Sequence, residues 1–217
     1  MSFLTFRRYY LDQMLLSQKY YGKVLDVGGK KDNKRGVFRP ALENVKSWEY
    51  LNIDVDTNPD YCCSADTIPV EDECFDMVLL NEVLEHLEDP KSVLQECYRV
   101  VKKGGTMIIS MPFLYAIHAD PYDFQRWTDV KLKQELQHAG FSYEHISVKP
   151  MGSLFAVIYD LLYVSVNNAS NDSQSLKNKL LRKVFLPLLK QMFLFLDKRY
   201  SYKSKFITTG YYVTAQK

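Results

Sequence analysis

What this 217-residue chain lacks narrows it before anything it contains does. Cysteine is scarce: Cys62, Cys63, Cys74 and Cys97 make four, with no C-x-x-C pair and no histidine cluster beside them at zinc spacing. A disulfide framework and a zinc ribbon are therefore not expected; reduced thiols in a cytoplasmic protein are. Charge of one sign is also missing, with 28 basic against 26 acidic residues, so no broad basic face for nucleic acid is expected. Long apolar runs are absent. The two most apolar stretches, 154–166 and 184–196, are broken by polar residues or proline and fall short of the roughly 18–20 residues that cross a bilayer. The opening "MSFLTFRRYYLDQMLLSQKYY" has arginines with no sustained apolar core behind them, so it reads as a helix over the sheet rather than a signal peptide. Metal-ligand spacing of histidines and carboxylates is not evident, and no metal is expected.

What is present is an alternation. From residue 23 to about residue 150, β-rich runs alternate with helical ones, the rhythm of a parallel sheet with crossover helices. The pattern predicts strands at Val24–Val27, Tyr50–Asp54, Phe75–Leu80, Thr106–Met111 and Ser142–Lys149, with a short one near Tyr61–Ser64. Asp89 and Pro90 supply a cap and a first-turn proline for "KSVLQECYRVVKK", which Gly104-Gly105 is expected to end. Thr128 caps "DVKLKQELQHA", and Gly140 closes it. Beyond Lys149, "GSLFAVIYDLLYVSV" and "LLRKVFLPLLKQMFLFLDKRY" read as apolar helices around a polar "NNASNDSQS" turn. A β-rich tail, "KFITTGYYVTAQK", follows them.

The stretch "YGKVLDVGGKKD" carries the chemistry of the first strand. Asp26 stands directly before a glycine turn. A dinucleotide would set its pyrophosphate there, against a carboxylate that repels it. S-adenosylmethionine instead offers an ammonium and a sulfonium, and a carboxylate suits both. Asp54, read as the end of the next strand, stands where an acid accepts both ribose hydroxyls. Asp66, in "SADTIP", stands where a third strand would bring an acceptor to the adenine amino group. Any one of these acids alone reads as an ordinary turn residue. In order, beside a glycine turn, they favour a cationic adenosyl ligand.

"VLDVGG", "YLNID", "ADTIPVEDECFDMVLLNEVLEHLEDP" and "YRVVKKGGTMIISMPF" together resemble the successive motifs of class I S-adenosylmethionine-dependent methyltransferases, small-molecule branch, over about residues 22–150. The resemblance implies a Rossmann-like three-layer α/β/α sandwich, with a seven-stranded, mostly parallel sheet whose last strand runs antiparallel. It implies that Asp26 and Gly28, with Gly29 beside them, line the methionine end of the cofactor. Asp54 would serve the ribose, Asp66 and Thr67 the adenine, and Asn81 the segment beside the bound cofactor. One departure stands out: Lys30 and Asp32 replace the second and third glycines of the acid-x-Gly-x-Gly-x-Gly pattern. Lys30 would either crowd the ligand or pair with its carboxylate.

Ligands in such sheets lie at the carboxyl ends of the strands. "PFLYAIHADPYDFQRWT" leaves that edge, so His118, Asp120, Tyr122, Asp123 and Arg126 are expected at the acceptor crevice. Methyl transfer to a hydroxyl needs alignment and a base. His118 is the first candidate, with Asp120 or Asp123 orienting or replacing it. The plainer reading is a structural loop in which Arg126 pairs with an aspartate and Trp127 packs on the sheet. Glu82, Glu85 and His86 ride a short helix, where His86 reads as a hydrogen-bonded helix histidine.

The chain is read as one domain: an N-terminal helix in 1–22, a core of 23–150 and 203–217, and an apolar helical insertion, 151–202, before the last strand. The insertion could serve as a lid, as a homodimer interface, or as a surface resting on a membrane, bordered by Arg182, Lys183, Lys190, Lys198 and Arg199. A core-facing helix pair is the plainer alternative. The expected activity is O-methylation of a small molecule. "PFLY" followed by "H-x-D-P-Y-D" resembles proteins that accompany cell-surface glycan synthesis, which points to a sugar or a lipid-linked glycan intermediate. Two rivals stand beside it. A nicotinamide-dependent oxidoreductase would need the G-x-G-x-x-G spacing that is missing here. A non-catalytic relative would have lost the cofactor and would use its apolar helices for a partner protein.

Overall fold

The computed structural model describes residues 5–32, 36–118, 121–168, 184–200 and 207–217. Six strands form one sheet. They are β1 (Gly22–Val27), β2 (Val45–Leu51), β3 (Phe75–Asn81), β4 (Val101–Pro112), β5 (Ile146–Met151) and β6 (Gly210–Gln216), in the spatial order β2-β1-β3-β4-β6-β5. β1 through β4 run parallel, and β6 is antiparallel to both its neighbours. The expected antiparallel last strand is therefore present, but the expected seventh strand is not among the described residues. Near Tyr61–Ser64 there is only an isolated parallel bridge, Leu51 to Tyr61. The cause is local: the Asp60 carboxylate takes the Tyr50 N–H at 2.8 Å, on the edge where another strand would pair, and Pro59 beside it has no N–H to offer.

Period-two alternation gives each strand two apolar faces. Leu25, Val27, Val78, Leu80, Met107 and Ile109 pack on α2 (Pro90–Val100) and α3 (Asp129–Ala139), through Val93, Leu94, Cys97, Leu132 and Leu136. On the other face, Val24, Met77, Leu79 and Ile108 pack on Leu11 and Leu15 of α1 (Phe6–Ser17). Two further helices, α4 (Leu154–Asn168) and α5 (Leu186–Tyr200), lie between β5 and β6 in the chain. They meet α1 around Phe6, Ala156 and Tyr159. No described helix is long and apolar enough to cross a membrane.

Several boundaries differ from expectation. β2 begins at Val45 and stops at Leu51, so Asp54 does not end a strand; its side chain caps the short turn Val55–Thr57. α2 ends at Val100, and Gly104-Gly105 plays no part in stopping it. Val101 adopts extended backbone (φ −76°, ψ 135°) and leads straight into β4. The glycines lie instead where β4 slips its register against β3, between the Phe75–Val101 and Met77–Thr106 pairs. β5 starts at Ile146 because Tyr143–His145 winds into a short turn of its own. α3 has the expected Thr128 cap and Gly140 end. The four cysteines are free. Most of "NNASNDSQS", together with Arg182, Lys183 and Asp120, falls outside the described residues.

Candidate active site

The glycine turn after β1 is shaped by its neighbours. Gly28 has φ +74°, and a Cβ there would come 2.5 Å from Val83 Cγ2; only glycine accepts both conditions. At Gly29 a Cβ would lie 2.4 Å from the carboxyl carbon of Asp26. The second glycine thus leaves room for that carboxylate. Asp26 also accepts from Trp48 Nε1 at 3.4 Å. Asn52, buried at the end of β2, donates to the carbonyls of Gly28 and Gly29 at 3.3 and 3.0 Å and accepts from Asp54 N–H at 3.0 Å. One amide thereby fixes the turn after β1 and the turn after β2 to each other. Its role was not apparent in the sequence, where Asn52 sat unremarked inside "YLNID".

The two residues that replace the later glycines do not fill the turn. Lys30 and Asp32 are exposed, and Lys30 Nζ lies 4.0 Å from Asp54 Oδ2, both groups about half in solvent. Asp54, Asp66 and Thr67 are exposed as well. Asn81 ends β3 with its Oδ1 buried and without a hydrogen-bond partner among the described residues. A glycine cradle, half-exposed and exposed acids, and a buried spare acceptor line the same loop edge of β1, β2 and β3.

The edge beyond β3 and β4 is built from buried charge. Glu82 takes φ +57° directly after β3, a conformation rare outside glycine and common at functional sites. It forms an ion pair with Arg7 of α1, whose guanidinium lies 4.1 Å from the centre of the Tyr115 ring. The Phe6 and Arg7 backbone N–H groups donate to Asp160 of α4, at 2.6 and 2.9 Å, so α4 holds the first turn of α1 that delivers Arg7. No local sequence signal marks Arg7, since its partners lie far along the chain.

Asp123 forms a two-pronged pair with Arg126, which holds its carboxyl down at about 2. It also accepts from the His118 backbone N–H at 2.9 Å and faces His118 Nδ1 at 3.3 Å. Asp123 therefore stays ionised and orients His118; as a base it would be feeble. Burial, with the Arg7 charge next, lowers the His118 pKa, so its ring is neutral near pH 7. The Arg126–aspartate pair and the buried Trp127 of the plainer reading are both present, and the loop still presents His118. Tyr122 is exposed, but its carbonyl meets His86 Nδ1 at 2.5 Å. Glu85 and His86 sit on a short helix, the three-residue 3₁₀ helix Leu84–His86, as expected, while Glu82 lies before it. Glu85 in that helix is fully buried, and burial raises its pKa against the pull of its own backbone N–H and of His86, Arg7 and Arg126. A pocket of about 250 Å³ opens beside these groups, lined by Tyr115, Ile117, Asp123, Phe124, Gln125 and Arg126.

Comparison with known proteins fits this geometry. Residues 38–109 match the family described as methyltransferase domain. A methyltransferase from Archaeoglobus fulgidus, solved as an S-adenosylmethionine-dependent enzyme, superposes with a TM-score of 0.56 at 15% identity, over 97% of this chain and 92% of its own. The fold is a methyltransferase fold. The [4+2]-cyclase SpnF shares this methyltransferase fold at a TM-score of 0.59 and 17% identity, over 97% of this chain and 81% of its own. The fold thus fixes the frame, and the site must argue the reaction. In sequence, the rat mitochondrial ubiquinone biosynthesis O-methyltransferase is 34% identical over 76 residues, 33% of this chain and 22% of that one. The chain spans about a fifth of the length of the curated relatives it matches.

Proposed function

We propose that this chain is an S-adenosylmethionine-dependent methyltransferase that methylates a hydroxyl of a small molecule. The observation that carries the reading is the Gly29–Asp26 relation: the second glycine is needed to keep the Asp26 carboxylate clear at the carboxyl edge of β1. An anion so placed suits a cationic donor and opposes a pyrophosphate. Asn81 Oδ1 adds a buried acceptor without a partner among the described residues. The family match and the shared fold support the same conclusion.

S-adenosylmethionine supplies a methyl carbon already activated by its sulfonium, so the protein's task is alignment and proton removal. Asp26 would hold the ammonium end, Asp54 the ribose hydroxyls, and Asp66 with Thr67 the adenine edge, with Asn52 fixing the turns between them. His118, neutral and steered by Asp123, takes the hydroxyl proton. Arg7 and Tyr115 wall the same space.

We place the acceptor among sugars or lipid-linked glycan intermediates and give the helical layer a membrane-facing role. Leu154, Ile158, Leu161 and Leu162 form one exposed stripe on α4; Leu188, Met192 and Phe195 form another on α5. Lys198 and Arg199 border the second. Such a surface fits the headgroup boundary of an anionic bilayer. Co-sedimentation with anionic vesicles that Phe195→Glu abolishes supports this contact; no partition by the wild type removes it.

Calorimetry with S-adenosylhomocysteine and with NAD tests the main reading. Micromolar binding of the first alone supports the methyltransferase. Preference for NAD supports the oxidoreductase, and silence toward both supports the non-catalytic relative.

A further inference from the structure

Glu85, His86 and His118 come from two separate loops, yet one ligand atom from each lies within 4.8 Å of the others. His86 Nε2 is 3.7 Å and His118 Nε2 is 3.8 Å from Glu85 Oε1. The rings stand nearly perpendicular, 78° apart with centres separated by 5.1 Å, so both edges can point at one place. Neighbours settle the tautomers. His86 Nδ1 faces the Tyr122 carbonyl, and His118 Nδ1 faces the Asp123 carboxylate and the Ala116 carbonyl. Those oxygens only accept, so each Nδ1 carries the proton and each Nε2 presents a lone pair.

Three lone-pair donors thus converge on one another. Glu85 is fully buried, and no other described residue hydrogen-bonds either of its carboxylate oxygens. A shared proton does not relieve this, because 3.7 and 3.8 Å exceed hydrogen-bond length. A metal at ~2.0–2.1 Å from each donor sets tetrahedral ligand spacings of about 3.3 Å, a few tenths of an ångström tighter than the two histidine–Glu85 spacings. Charge points the same way. Arg7 is paired with Glu82 and Arg126 with Asp123, so both arginines act on Glu85 while engaged with another carboxylate.

We propose that Glu85, His86 and His118 bind a divalent transition-metal ion, as a two-histidine, one-carboxylate site with positions left for other ligands. The mixed imidazole and carboxylate donors suit zinc-like ions better than magnesium. Tyr122 O and Asp123 are the outer partners that orient each ring, the arrangement found around metal-bound histidines. Such an ion polarises an acceptor oxygen and makes its hydroxyl acidic; His118 then acts as ligand, and the ion takes over the work assigned above to the free imidazole. The site stands whether or not the donor is S-adenosylmethionine, because metal binding is read directly.

The test is titration of Zn²⁺ alone into the full chain after chelator treatment, by calorimetry, with Co²⁺ absorption as a check on the ligand set. The expected result is one ion per chain with micromolar or tighter affinity, weakened at least about tenfold in His86→Ala and in Glu85→Gln. His86 is part-exposed and its alanine variant is expected to fold, which thermal melting verifies. No saturable binding overturns the proposal. So does binding that persists unchanged in both variants, which would place the ion at other residues.

Discussion

The two halves of the sheet's loop edge treat charge in opposite ways. Along β1 and β2 the acids sit at or near the surface: Asp54 and Asp66 are exposed, and Asp26 is half-buried. Along β3 and β4 the charges are inside: Glu85 is 0% exposed, and the side chains of Asp123 and Arg7 are 2% and 12% exposed. Exposed carboxylates bear little desolvation cost and can wait for a ligand. Buried ones need a countercharge built into the fold. The first half therefore fits the cation-binding role we propose for it, and the second is a network in which each change disturbs several partners.

Breaking the buried half should have the larger effect. Arg126→Ala strands Asp123 without its cation, and we expect a loss of about 3 kcal/mol in folding stability, the low end for breaking a buried pair; chemical denaturation measures it. If the variant is as stable as the wild type, the buried half is not the network described. In the exposed half, Gly29→Ala pushes a methyl into the Asp26 carboxylate. We expect about 1–3 kcal/mol of strain, read as a roughly 5- to 150-fold weaker S-adenosylhomocysteine affinity.

Asp160, which holds the first turn of α1, links the halves to pH. Burial raises its pKa to about 7 from an ordinary 3.8. Between those values the folded chain keeps a proton that the unfolded chain has released. This group's contribution is thus fully present below about pH 4, falls as pH rises toward 7, and levels off above. Asp160→Asn should flatten that slope in melts from pH 4 to 8; an unchanged slope refutes the assignment. The smallest effect belongs to Lys30→Ala. Its 4.0 Å contact with Asp54 is exposed and screened, so stability should move by less than about 0.5 kcal/mol.

How legible each half was in the sequence follows from the same contrast. β1, β3 and α3 were visible because alternation, capping residues and Gly140 are local signals. The acids of the proposed cofactor edge could be picked out because they follow one another along the chain. β2 and the end of α2 were misplaced where side chains decided: Asn52 and Asp60 capture backbone groups at the edge of β2, and Val101 turns helix into strand with no glycine. The buried half was mostly illegible. Arg7 meets Glu82 and Tyr115, and Phe6 meets Asp160, across 75 to 154 residues of chain, a range at which periodicity says nothing. His118 was found from its residue type, but its convergence with Glu85 and His86 was not.

In the proposed function Asp26, in the space that Gly29 leaves for its carboxylate, holds the ammonium of the donor. A crystal structure of the chain grown with S-adenosylhomocysteine tests it most directly. The expected result is the ligand's amino group within hydrogen-bond distance of the Asp26 carboxylate and the glycine turn unmoved. A ligand bound elsewhere, with Asp26 still turned to Trp48, would contradict it.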